Sequence, residues 1–329
     1  MSLTAILGWM VLAALFCAAL FVGSFVFRTR RIAAWAEKEV PPAGKFIVIG
    51  GQRLHYVEAG EGPPILFIHG LGAQLHHFKG TIFDSLEDRY RLIALDRPGS
   101  GYSTRPMFAN AGLYAQAATI AGFIDALGLE RPLVVGHSLG GAVALALAVE
   151  HPEKIGGLAL IAPLSHYLGH IPPAFASLNI KSPWMRRFLS ETFAVPTSLK
   201  FAEQTLDFVF RPQRPPEDYG VRGGGLSGLR PSHIYAAGTD FVDMQADLAQ
   251  VEDRYGEIDM PVGVFFGMDD RVLDPKLHGE ALRDRIKAAD VEIVEGIGHM
   301  PQFIVPERVV AFVDRIASRV NATSVVGAR

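Results

Sequence analysis

Four short stretches of this chain carry residue types that do chemistry at meaningful spacings. In "LVVGHSLGGAVALALAVEHP" (133–152) an apolar run enters Gly136-His137-Ser138-Leu139-Gly140, and a run of small apolar residues follows. This is G-x-S-x-G in a strand–turn–helix setting, which lifts a serine oxygen beyond a sheet edge and needs glycine on both sides for the tight approach. Ser138 is the expected nucleophile, and the Leu139 N–H opens a helix where it can donate to a developing oxyanion. Serine needs a base, itself oriented by an acid. His299, in the Gly-rich loop of "VEIVEGIGHMPQFIVPERVV" (291–310), stands between a closing strand and a closing helix. The chain has eleven histidines, and His299 alone follows both the serine and the acid candidates at a strand end. Those acids crowd into "FFGMDDRVLDP" (265–275). Asp274, before Pro275 and a helical run, reads as a helix N-cap. Asp269 and Asp270 remain to be separated. "PPILFIHGLGAQ" (63–74) ends a strand in a Gly-bounded turn whose Leu71 N–H is expected to supply a second oxyanion donor.

These pieces need a frame that brings strand ends together. Short Val/Ile/Leu runs at Ile65–Ile68, Arg91–Leu95, Leu133–Val135, Leu158–Ile161, Val262–Phe266 and Val291–Val294 predict strands buried on both faces of a parallel sheet. "KFIVIGGQRLHYVEAG" predicts a hairpin ahead of them. Helices are expected at Leu113–Leu127, Gly141–Glu150, Pro275–Ala288 and Glu307–Ser318. The fold class is therefore α/β with a doubly wound, mostly parallel sheet. Between about 163 and 250 the alternation stops, and Pro-Pro pairs, many aromatics and no strand pattern predict an all-helical insertion.

The pieces "HGLG", "DRPGSGYS" (96–103), "GHSLGG", "FGMDDRVLDP" and "GIGHMPQFIVPE" together resemble the α/β-hydrolase fold enzymes, over residues 46–318. The resemblance implies Ser138 as nucleophile, His299 as base and an acid after the Val262–Phe266 strand. Its G-x-x-D spacing runs from Gly267 to Asp270, which makes Asp270 the acid and Asp269 a solvated turn residue. It also implies a helical cap at 163–250, within a core of 45–162 and 251–319. Members that open epoxides or remove halide place an aspartate at the elbow, so Ser138 sets those chemistries aside. In "DRPGSGYS" Asp96 and the glycines read as turn architecture.

Ahead of this core, Leu3 to Phe27 carries no charged residue. As a helix it spans ~37 Å, enough to cross a ~30 Å hydrocarbon core. Met1–Thr4 lacks the basic start of a signal peptide, so residues 3–27 are expected to be an uncleaved transmembrane anchor. Arg28, Arg30 and Arg31 follow it, and the positive-inside rule then puts the soluble part on the cytoplasmic side. Residues 28–44 read as a short juxtamembrane helix and linker, and 320–329 as a flexible tail. The layout resembles membrane-bound monoacylglycerol-lipase-type members of the family.

Composition narrows the rest. A net charge of −3 with no basic stripe offers no footprint for nucleic acid. Cys17, the only cysteine, excludes an intramolecular disulfide and a cysteine zinc cluster. "GGGLSG" (223–228) matches a dinucleotide fingerprint but follows no strand. His166 and His170 have helical i, i+4 spacing but no Glu after the first and no third ligand. No cofactor or metal is expected. The expected function is a membrane-anchored serine esterase or monoacylglycerol-type lipase whose partner is a lipophilic ester. Two alternatives are a C–C bond hydrolase or cofactor-free haloperoxidase using the same triad, and a non-catalytic receptor or scaffold on the same fold.

Overall fold

The computed structural model describes residues 2–287 and 289–327. Its strands are β1 Lys45–Ile49, β2 Gln52–Ala59, β3 Pro64–Ile68, β4 Arg91–Leu95, β5 Leu133–His137, β6 Gly157–Ile161, β7 Val262–Gly267 and β8 Asp290–Val294. They form one eight-stranded sheet in the order β1-β2-β4-β3-β5-β6-β7-β8. β1–β2 and β2–β4 pair antiparallel, and every later pairing is parallel. The fold is that of an α/β hydrolase: a mostly parallel sheet between helical layers. Each predicted parallel strand is present, within a residue or two of its expected ends.

The continuous apolar strand runs follow from this packing. Successive strand residues point to opposite faces. Leu66, Ile68, Val134, Leu158 and Val264 face the Leu113–Ala126 and Leu139–Glu150 helices; Ile65, Phe67, Val135, Ala159 and Phe265 face Phe312 and Ile316 of the Pro306–Gly327 helix. Both faces are covered, so the central positions of these strands are apolar.

The chain leaves β3 toward β4 on one side and returns to β5 on the other. That reversal puts the carboxyl ends of β3 and β5 on either side of a crevice, where sheets of this kind bind ligands. Between β6 and β7 the described residues form helices and no strand. Helices at Pro183–Glu191, Ala194–Lys200, Ala202–Phe210 and Pro231–Asp253 dominate this block. Ser182 caps the first of them by accepting from Met185 N, with Pro183 at the first helical position.

Three expectations change. The N-terminal segment is one helix, Leu3–Glu39, with no break between span and juxtamembrane part. Arginines interrupt hydropathy but are good helix formers, so they end the apolar run without ending the helix. The expected Pro275–Ala288 helix is a wide turn at Lys276–Glu280 followed by one short turn of helix, Leu282–Arg285; Ala288 lies outside the described residues. Gly279, where a Cβ would stand 3.0 Å from the Phe266 ring, interrupts the run. At the other end the last helix continues through Gly327, beyond the expected start of a tail at 320.

Candidate active site

Ser138 occupies the turn between β5 and the Leu139–Glu150 helix, at φ 53° and ψ −120°. Only the surroundings can hold a non-glycine residue at positive φ, at a typical cost of about 1–3 kcal/mol. Three hydrogen bonds do so: Ser138 N–H donates to Ile161 O (3.1 Å), while Ser138 O accepts from Gly141 N (2.9 Å) and Leu164 N (3.0 Å). Gly140 lets the helix close onto β3, because a Cβ there would collide with the Ile68 and His69 carbonyls. Leu139 is the first helical residue, so its N–H lacks an intrahelical acceptor.

The two side chains expected as acid and base arrive from two adjacent strands. Asp270 follows β7 and His299 follows β8, and His299 Nδ1–H donates to Asp270 Oδ2 at 2.7 Å. The other carboxylate oxygen accepts from Val272 N (2.7 Å) and Leu273 N (3.0 Å), so the buried Asp270 side chain is fully partnered. Gly267 permits the approach of the two loops: a Cβ on it would strike the Ile297 and Gly298 carbonyls. Asp269 donates its backbone N–H to Ile297 O (3.0 Å) and leaves its side chain exposed. Asp274 accepts from Lys276 N at 2.9 Å, but the helix it was expected to cap is replaced by the wide turn at Lys276–Glu280.

His137, the residue before the serine, joins the two halves. Its Nε2–H donates to the His299 carbonyl at 3.0 Å, and the two rings lie 5.0 Å apart. Burial pushes its pKa well below the ordinary histidine value, helped by nearby His299 and His77. The ring is therefore neutral, one nitrogen donating and the other without a partner among the described residues.

The turn after β3 lies against the serine. A Cβ built on Gly70 would stand 3.0 Å from Ser138 Cβ, which places the Gly70–Leu71 peptide beside that serine. The structure thus gathers Ser138, Asp270, His299, Leu71 and Leu139 at the carboxyl ends of β3, β5, β7 and β8. The i, i+4 histidines do not pair. The segment around them is not helical, His166 is buried against Ser165, and His170 is exposed. No group of three metal-ligating side chains occurs among the described residues.

Sequence reasoning passed over three buried polar side chains behind the site. Arg97 donates to both Gln116 and Asp240, and it also grips the turn after β3. Arg97 was visible within "DRPG", but Asp240 lies 143 positions away with no motif around it.

A family model described as alpha/beta hydrolase fold matches residues 63–305. The chain is 30% identical over 304 residues to 2-hydroxymuconate semialdehyde hydrolase of Pseudomonas putida, covering 87% of this chain and 98% of that protein. It is 31% identical over 273 residues to the dihydrolipoyllysine-residue acetyltransferase component of the acetoin cleaving system of Cupriavidus necator, covering 81% and 67%. Among solved structures, a membrane phospholipase A described as a bacterial virulence factor superposes with a TM-score of 0.70 at 26% identity, covering 97% of this chain and 99% of that one.

Proposed function

The chain belongs to the α/β-hydrolase fold family, and on that footing we propose that it is a membrane-anchored serine hydrolase acting on a carboxylic ester of a lipophilic substrate. The observation that carries the reading is the 2.7 Å His299–Asp270 pair, held beside a serine strained to positive φ. Asp270 fixes His299 with its proton on Nδ1, leaving Nε2 as the base. His299 takes the Ser138 proton as the serine oxygen attacks the ester carbonyl. The Leu71 and Leu139 N–H groups receive the oxyanion. The imidazolium then protonates the departing alcohol, and water repeats the sequence to release the acid and regenerate Ser138.

Two features support a lipid-proximal role. The apolar part of the Leu3–Glu39 helix has a mean hydropathy of 2.5 over 18 residues and is not buried in the protein, unlike a core helix. Its continuation is docked on the helical block: Phe25 meets the Phe193 ring at 4.7 Å, and Thr29 Oγ1 donates to Thr192 O at 2.6 Å. Farther along, Glu37 pairs with Arg230 at 2.7 Å. The membrane phospholipase matches 97% of the chain, leaving about ten residues unmatched, fewer than the 37 of this helix. Arg28, Arg30 and Arg31 argue by the positive-inside rule for a cytoplasmic body.

A second reading has a specific observation behind it, the 2-hydroxymuconate semialdehyde hydrolase likeness over 304 residues. In that reading the same three side chains cleave a C–C bond in a ring-fission product. Fluorophosphonate labelling of the intact protein and of Ser138→Ala tests the nucleophile, and an acyl-chain-length series beside a ring-fission substrate tests the bond. Ser138-dependent labelling with turnover rising with chain length is expected. Fast ring-fission turnover with poor ester turnover would transfer the protein to the second reading. An absence of Ser138-dependent label would leave a non-catalytic receptor.

A further inference from the structure

One buried guanidinium ties the turn after β3 to the helical block. Arg97 Nε–H donates to His69 O at 2.9 Å, and one terminal nitrogen donates to Gly70 O at 3.0 Å. The other terminal nitrogen donates to Gln116 Oε1 and to Asp240 Oδ2, each at 2.7 Å. The Arg97 backbone N–H closes the loop by donating to His69 Nε2 at 2.9 Å. Asp240 sits on the Pro231–Asp253 helix, and its second oxygen takes Arg105 at 2.6 Å. Arg97 and Asp240 are both wholly buried.

Peptide geometry turns this clamp into a statement about the proposed oxyanion donor. In a planar trans peptide the carbonyl and the following N–H point to opposite sides. With the Gly70 carbonyl held by Arg97 and by His69 Nδ1 (2.9 Å), the Leu71 N–H is directed away from the guanidinium. It finds no protein acceptor among the described residues. A cation on the carbonyl also polarises the peptide and strengthens its N–H as a donor. Packing alone could hold a turn in place. A buried cation costs several kcal/mol of desolvation, which the Asp240 carboxylate offsets only with good geometry. An arginine here is therefore explained by what its fork holds: two successive carbonyls on one side, a carboxylate on the other.

We infer that Arg97 is a positioning residue, which aims the Leu71 N–H at the oxyanion and, through Asp240, makes that aim depend on the seating of the helical block. The inference rests on the serine-hydrolase reading above. It predicts a transition-state defect, because the ester's ground-state contacts are elsewhere.

The test uses full-length Arg97→Lys and Asp240→Asn. Active sites are counted by fluorophosphonate, and folding is checked by thermal unfolding. Removing one oxyanion donor costs about 100- to 1,000-fold in kcat, so a misdirected donor should lower kcat per labelled site by about 10- to 100-fold in Arg97→Lys and less in Asp240→Asn. KM should stay within about threefold, since uniform binding is untouched. Affinity for a trifluoromethyl ketone, which binds as a tetrahedral oxyanion adduct, should fall in step with kcat. Folded variants with wild-type kcat and ketone affinity would overturn the inference. So would variants that lose activity through KM alone. If Arg97→Lys does not fold, Asp240→Asn carries the same readings. A wild-type protein without Ser138-dependent label would instead sink the underlying hydrolase reading, so the two failures are distinguishable.

Discussion

Two His–Asp pairs in this molecule share one geometry and differ in everything around it. His55 Nδ1 meets Asp96 Oδ2 at 2.7 Å, and His299 Nδ1 meets Asp270 Oδ2 at 2.7 Å. Both carboxylates are wholly buried and both accept backbone N–H groups, Asp96 from Leu75 (2.9 Å) and Tyr102 (2.8 Å). His55, however, lies within β2 between the rings of Phe46 and Tyr102, and its Nε2 is buried without a partner among the described residues. His299 lies on a loop beyond the sheet, against the serine turn. A short bond to a carboxylate does not make a base. What the far nitrogen faces decides whether the pair is a staple or a piece of chemistry.

That contrast is breakable. The largest expected effect belongs to Asp270→Asn, which should lower kcat by about 1,000- to 10,000-fold by disfavouring the required tautomer. Steady-state kinetics with a short-chain ester checks this, and a thermal midpoint near wild type would show that the loss is chemical. His55→Gln should do the reverse. With the buried Asp96 losing its ring partner, the midpoint is expected to fall by about 3–8 °C while kcat per labelled serine stays within about threefold. Comparable kcat losses in both variants would erase the distinction.

Histidines whose rings hold no carboxylate extend the comparison to pH. Burial lowers His77 to about 3 and His278 to about 4, against an ordinary value of 6.5. The unfolded chain therefore binds protons that the folded chain refuses. Stability is intact above pH 6.5 and is lost as pH falls from 6.5 toward 4. His77→Phe should flatten part of that slope in chemical unfolding measured across pH 4–7. Least affected of all should be Asp269→Asn, whose exposed carboxylate is expected to leave kcat within about twofold. A large loss there with a small one in Asp270→Asn would exchange the two aspartates' roles.

Much of this was legible because it is local. Ile65–Ile68 and Val262–Phe266 are short runs apolar at every position, which suits a strand covered on both faces. The serine turn shows itself in five residues because strain and close approach demand glycine in fixed places. Asp274 and Pro275 read as a helix start, yet a wide turn stands there instead. Asp269 and Asp270, by contrast, are neighbours with identical side chains, and resemblance to the family was needed to choose between them. The Arg97–Asp240 pair was illegible for a different reason: it depends on where a helix lands after 143 residues of chain, which no spacing encodes. The unbroken Leu3–Glu39 helix was missed because hydropathy and helix propensity part company at Arg28.

That helix has a mechanical consequence. At 1.5 Å per residue its 37 residues make a rod of ~56 Å, nearly twice the thickness of a hydrocarbon core. Its far half is bolted to the body through Thr29 and Glu37. An enzyme on a slack tether tumbles and samples the bilayer at random. One mounted on a stiff mast leans only as the mast leans, so under the proposed membrane anchoring the tilt of this single helix sets the attitude of the whole body toward the bilayer.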